Sequence, residues 1–86
     1  MPRYFFHIQH TGYEVEDPEG SDYVDLLAAE IDAAATLRDL VASALVQGSE
    51  SNLEAINVAD RDGRRSRVSV PNVIETVFPA LRRADL

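Results

Sequence analysis

Two histidines, His7 and His10, sit three residues apart in Tyr4-Phe5-Phe6-His7-Ile8-Gln9-His10, and Glu14 and Glu16 follow a short turn later. An imidazole beside a carboxylate can shuttle a proton or start a metal site. Spacing limits the second option, because residues three apart on a strand point to opposite faces. A firm metal site also needs about three protein ligands. His7, Glu14 and Glu16, which alternation places on one sheet face, are therefore the candidate ligand-site residues. Against this stands the plain alternative that the stretch is a first strand with solvent-facing polar residues.

Other chemistry is weaker. Asp60-Arg61-Asp62-Gly63 resembles the opening of a calcium loop, but a glutamate is required at position twelve, where Pro71 stands. Arg61, Arg64, Arg65 and Arg67 surround that turn and could meet an acidic partner or phosphate; charges on a hairpin also discourage edge pairing. There is no cysteine, phosphate-binding glycine loop or nucleophile elbow. The expectation is a non-enzyme with no catalytic residue, cofactor or metal.

Eighty-six residues form one domain, near the small end of what holds a core without a disulfide or metal. We expect a domain over 1–79 and a tail over 80–86. Hydrophobic residues make up 45% of the chain and the net charge is −7. Residues 1–43 carry nine acids against Arg3 and Arg38, whereas residues 44–86 are balanced. Acidity of this kind repels phosphate backbones, so nucleic acid is not an expected partner. No signal-like segment or apolar run of spanning length occurs, so a cytoplasmic protein without a membrane partner is expected.

The elements that must carry these residues are legible from periodicity. Arg3–Gln9 reads as a strand with Tyr4, Phe6 and Ile8 on one face and Phe5, His7 and Gln9 on the other. Tyr13–Glu16 returns as its hairpin partner, and Asp17-Pro18-Glu19-Gly20 has the residue preferences of a type I turn. Ser21 or Asp22 is positioned to cap a helix from Tyr23 to about Gln47, stopped by Gly48. Ala55–Ala59 and Ser66–Val70 form a second hairpin around Asp62-Gly63, and Asn72–Phe78 has the pattern of two helical turns. The fold class is α+β, β-β-α-β-β(-α), with a four-stranded, mainly antiparallel sheet and one long helix across one face. Either a β-grasp-like order or a pairing of two hairpins satisfies this pattern.

The helix is over-provided with apolar residues. Leu27, Ile31, Ala34, Ala35, Val41, Ala42 and Leu45 make one stripe, and Leu26, Ala33, Leu37, Leu40 and Ala44 an adjoining one. A surface helix needs a narrower arc. Twenty-five residues also span roughly 37 Å, against about 20 Å for a six-residue strand. A homodimer through this helix is the expected assembly, with Leu26, Leu37, Leu40, Arg38 and the outer-face Phe5 as candidate interface residues. Arg38, set within the first stripe, either lays its stem over apolar surface or pairs across an interface. A basic protein partner for the acidic first half is the alternative, as for an antitoxin-like regulator.

The stretch Pro2-Arg3-Tyr4-Phe5-Phe6-His7, the turn Asp17-Pro18-Glu19-Gly20, the alanine-rich helix with Arg38-Asp39-Leu40, and Ile56–Arg64 followed by Val68-Ser69-Val70-Pro71 together resemble a family of small bacterial proteins of unknown function. The likeness extends to about Val77 and implies a single bacterial domain, with no activity or site residue attached. A second likeness, in the order hairpin then helix, is to antitoxin domains of HicA–HicB-type pairs, which carry a further strand and often a DNA-binding segment.

Overall fold

A computed structural model describes residues 1–48 and 52–71, and the expected turns over Asn72–Phe78 lie outside them. Strand β1 spans Arg3–His10, β2 Tyr13–Val15 and β3 Ser21–Asp22. Helix α1 covers Leu26–Gln47, and β4 (Leu53–Asp60) and β5 (Gly63–Ser69) follow. The sheet runs β2-β1-β4-β5 with every pair antiparallel, and β3 adds to β1 near its start. Two hairpins are thus joined through their first strands. The β-grasp-like order is excluded, because β1 and β5 are not neighbours. Among the described residues no helix is long and apolar enough to cross a membrane.

Alternation decides the faces. Tyr4, Phe6 and Ile8 of β1, Ile56 and Val58 of β4, and Val68 of β5 turn toward α1. Ala29, Ala33 and Leu37 meet them from the helix with no exposed surface. The short alanines let the helix lie close on the sheet, and Leu37, the largest wholly buried side chain of the helix, joins Ile56 and Val58 in the core cluster. Tyr23 closes one end, its ring 5.6 Å from Phe6 and 6.3 Å from Tyr4 between centroids.

The entry into the helix differs from the sequence expectation. Ser21 and Asp22 pair with Tyr4 and Arg3 as a strand, and the cap is Asp25, whose carboxylate accepts the Ala28 amide at 2.9 Å. The reason is that the Asp22 carboxylate is engaged by the Arg3 guanidinium at 3.1 Å, and the Tyr23 amide donates to the Pro2 carbonyl. Both bonds hold the segment extended along β1. At the other end Gly48 adopts a left-handed conformation and donates to the Leu45 carbonyl, a glycine stop of the expected kind.

Between β2 and β3 the returning chain loops out over Glu16–Gly20. Gly20, at φ 71°, lies so close to β1 that an added methyl would stand 2.8 Å from the Tyr4 carbonyl oxygen and from the Phe5 ring. Only glycine fits both the angle and the space.

Candidate functional site

On the sheet face away from the helix, the central strand β4 presents Ala55, Asn57 and Ala59, all buried despite lying opposite the core. They are covered by larger neighbours on the flanking strands. His7 stands opposite Asn57, Phe5 opposite Ala59, and Arg67 opposite Asn57 from the other side. Small residues between large ones make a trough.

Asn57 is 3% exposed, and all of its amide groups are engaged. Its Nδ2 donates to Glu14 Oε2 at 2.6 Å and to Gln9 Oε1 at 3.3 Å, and its Oδ1 accepts from Arg67 at 3.3 Å. Arg67 also pairs with Glu54 at 3.5 Å, which accepts from the Thr11 hydroxyl at 3.0 Å. Gln9 is itself oriented by donating to the carbonyls of His10 and Tyr13. A polar row therefore crosses all four strands. A buried amide is costly when unpaired and near neutral when satisfied, and a register slip would move Asn57 into the core.

Beside this row, His7 and Asp17 form a reciprocal clamp. His7 Nδ1 accepts the Asp17 backbone N–H at 3.0 Å, while the Asp17 carboxylate accepts the Phe6 amide at 3.1 Å and the Gly20 amide at 3.1 Å. Side chains thus supply bonds where the looped-out edge leaves β1 without a ladder partner. In its neutral form this imidazole carries its proton on Nε2. Partial burial acts most strongly on Asp17 and pushes its carboxyl up. Hydrogen bonds from the Gly20, Phe6 and Glu19 amides outweigh that and hold it below the ordinary value. A carboxyl lowered on folding contributes fully above its unfolded value of about 3.9 and loses that contribution as the pH falls toward the folded value. The stability advantage of the native chain over Asp17→Asn should therefore shrink below about pH 4 in urea titrations; an advantage that is constant with pH contradicts the clamp.

Tyr23 ties the helix to its entry segment by donating to the Asp32 carboxylate. Burial, then that bond, then the charges of Asp32 and Asp17 push the phenol up to about 12, so it stays protonated across the neutral range.

The residues picked from sequence are placed as follows. His7 and Glu14 line one trough of about 570 Å³ together with Gln9, Asn57, Arg61 and Arg64. Glu16 is exposed and outside it. His10 is engaged elsewhere, its Nδ1 2.9 Å from Asn52 Oδ1 and its ring stacked 4.8 Å from Tyr13. No group of three or more metal-binding side chains converges among the described residues. Phe5 is half-buried and stacks on His7 at 6.2 Å.

Among the helix candidates, Leu37 is a core residue, fully buried within one copy, and Leu26 packs half-buried against the same core. The helix is rotated so that most of the second stripe meets the sheet, joined by Val41 of the first. Leu40 sits at the margin of exposure, and Arg38 is exposed, 3.8 Å from Asp39. Besides Leu40, the large apolar residues exposed on α1 and its entry segment are Val24, Leu27, Ile31, Leu45 and Val46, with Leu27 and Ile31 both 64% exposed; elsewhere among the described residues Met1, Tyr13 and Val15 are exposed too. The feature not anticipated is Asn57. Its signal was a lone amide between Ala55 and Ala59 on a strand whose other face is Ile56 and Val58.

These features define a two-layer α+β domain with one polar sheet face and one partly uncovered helix. The chain belongs to a family described as a domain of unknown function, DUF6894, which matches residues 3–71. No curated protein and no solved structure matches it.

Proposed function

We propose that the protein is a non-enzymatic interaction module that pairs with a second copy through the exposed flank of α1. The observation carrying this reading is the apolar stripe outside the core. Leu27, Ile31, Ala34, Arg38 and Leu45 fall within an arc of about 60° at 3.6 residues per turn. Exposed apolar side chains aligned on one helix flank mark interaction sites, and Arg38 is the one charge in this row.

Self-pairing is the occupant proposed because the exposed side chains at the two ends of the stripe, Leu27 and Leu45, are both leucines and meet when two copies run antiparallel. Leu27 and Leu45 lie at equal separations on either side of Thr36. An antiparallel pairing about a two-fold axis sets each Leu27 against the second copy's Leu45. The small Ala34 and Ala35 then occupy the centre, where helices can approach closely. Arg38 beside them has room to lay its stem over the seam while its head stays hydrated.

Covering the exposed part of Leu27, Ile31 and Leu45 is worth about 1–2 kcal/mol each, so a symmetric pair gains about 6–12 kcal/mol. Association costs of roughly 4–15 kcal/mol oppose this, which makes the pairing roughly micromolar or weaker. Replacing Leu27 and Ile31 together by glutamate should abolish pairing and leave the circular dichroism spectrum and thermal midpoint of the single copy intact, since neither side chain is in the core. Sedimentation of that variant beside the native chain tests the reading. Equal masses for the two would remove it.

A further inference from the structure

A second surface, independent of the helix, is the trough on the outer sheet face, and its hydrogen-bonding groups are unbalanced. Each of its carboxylates is engaged at least once. Glu14 accepts from Asn57 at 2.6 Å, Asp60 accepts from Arg65 at 2.5 Å and from the Asp62 amide at 2.8 Å, and Asp62 lies 3.9 Å from the same Arg65 guanidinium. Asn57 and Gln9 are saturated by each other, by Glu14, by Arg67 and by backbone carbonyls.

Its donors are not all engaged. Arg61 and Arg64 line the trough, and among the described residues neither has an ion pair or a side-chain hydrogen bond, unlike Arg3, Arg38, Arg65 and Arg67. His7 lines the same trough with Nδ1 occupied by the Asp17 amide, which leaves Nε2–H as its donor. The uncommitted groups thus run opposite in sign to the chain's net charge of −7.

We infer that this trough binds a carboxylate, held by the Arg64 and Arg61 guanidinium groups with the His7 Nε2–H as a third donor. The planar fork of arginine matches the two oxygens of a carboxylate. Each carboxylate group sets one negative charge against the two arginines, whereas phosphate concentrates more charge on a single centre close to Glu14, Asp60 and Asp62, at greater cost. The floor of Ala59 and Asn57 sets the depth of this solvent-open trough. The carboxylate can be that of a small acid or of an acidic side chain on an extended segment; the chemistry is shared.

The test is a magnetic resonance titration of the full chain at constant ionic strength with sodium succinate, with a peptide of alternating glutamate and serine, and with inorganic phosphate. Saturable shifts of the His7 ring and the Arg61 and Arg64 side-chain signals are expected for at least one carboxylate probe. Arg64→Gln should weaken binding about tenfold or more. Tighter binding of the peptide assigns the site to a protein segment, and tighter binding of succinate assigns it to a small acid. Absence of localised shifts, equal binding by Arg64→Gln with its amide spectrum intact, or tighter binding of phosphate than of either carboxylate overturns the assignment.

Discussion

Leu37→Ala should lower the stability of the domain by about 2–5 kcal/mol, the range for emptying a fully buried leucine site. Leu37 has no exposed surface and packs against Ile56 and Val58, themselves wholly buried. Its buried neighbours one turn away on the helix are Ala33 and Val41, and neither a methyl nor a χ1-restricted valine can extend to fill the void. Small domains hold only about 5–15 kcal/mol in total, so the loss is a large share of the whole. Leu27→Ala, the same chemical change at a 64% exposed position of the same helix, should cost well under 1 kcal/mol in a single copy. Urea denaturation of the two variants reads the contrast directly. Equal losses would mean that the helix is rotated otherwise than described.

Gly20→Ala should be nearly as damaging, for a reason unrelated to burial of apolar area. The positive φ of 71° costs an L residue about 1–2 kcal/mol. The added methyl also meets the Tyr4 carbonyl oxygen and two Phe5 ring atoms at 2.8 Å. The ring can turn, but the carbonyl belongs to β1 and cannot retreat without disturbing its pairing with Ser21. Overpacking of this kind adds about 1–3 kcal/mol. Gly12→Ala, at a φ of 85° but with nothing within 4 Å of the added methyl, isolates the conformational part. Thermal melts in which the Gly12 and Gly20 variants lose stability equally would show that the close approach does not matter.

These two sites also show where sequence reasoning succeeds. Tyr4, Phe6 and Ile8 were assignable to the core because strand alternation leaves only two faces, and Ile56 and Val58 followed by the same argument. Gly48 announced the helix end because few residues accept its backbone angle. The helix start was misplaced because Ser21 and Asp22 suit a cap as well as an edge strand. Arg3, nineteen residues earlier, decides between them by pairing with Asp22. The rotation of α1 was hidden for a compositional reason. With alanine on every side, both stripes are apolar, and only packing against β4 and β5 selects the one containing Ala33 and Leu37.

The outer face was only partly legible. His7 and Glu14 were placed on it by alternation and do line one trough. Asn57 was passed over because its role depends on three partners from three other strands, and register is not written in any one of them. The Asp17 turn was read as turn chemistry, and its carboxylate does bind the Gly20 and Glu19 amides. Its third bond, to Phe6, and the answering bond to His7 arise only once the hairpin has closed.

The central claim is that the flank of α1 bearing Leu27, Ile31 and Leu45 is covered by a second copy in solution. Sedimentation equilibrium of the native chain from about 10 µM to about 1 mM, the window of the expected affinity, tests it most directly. The account predicts a mass rising with concentration from 9.5 kDa toward twice that value, with the Leu27→Glu, Ile31→Glu variant flat at the lower figure. A native chain that stays at 9.5 kDa over the whole range contradicts it.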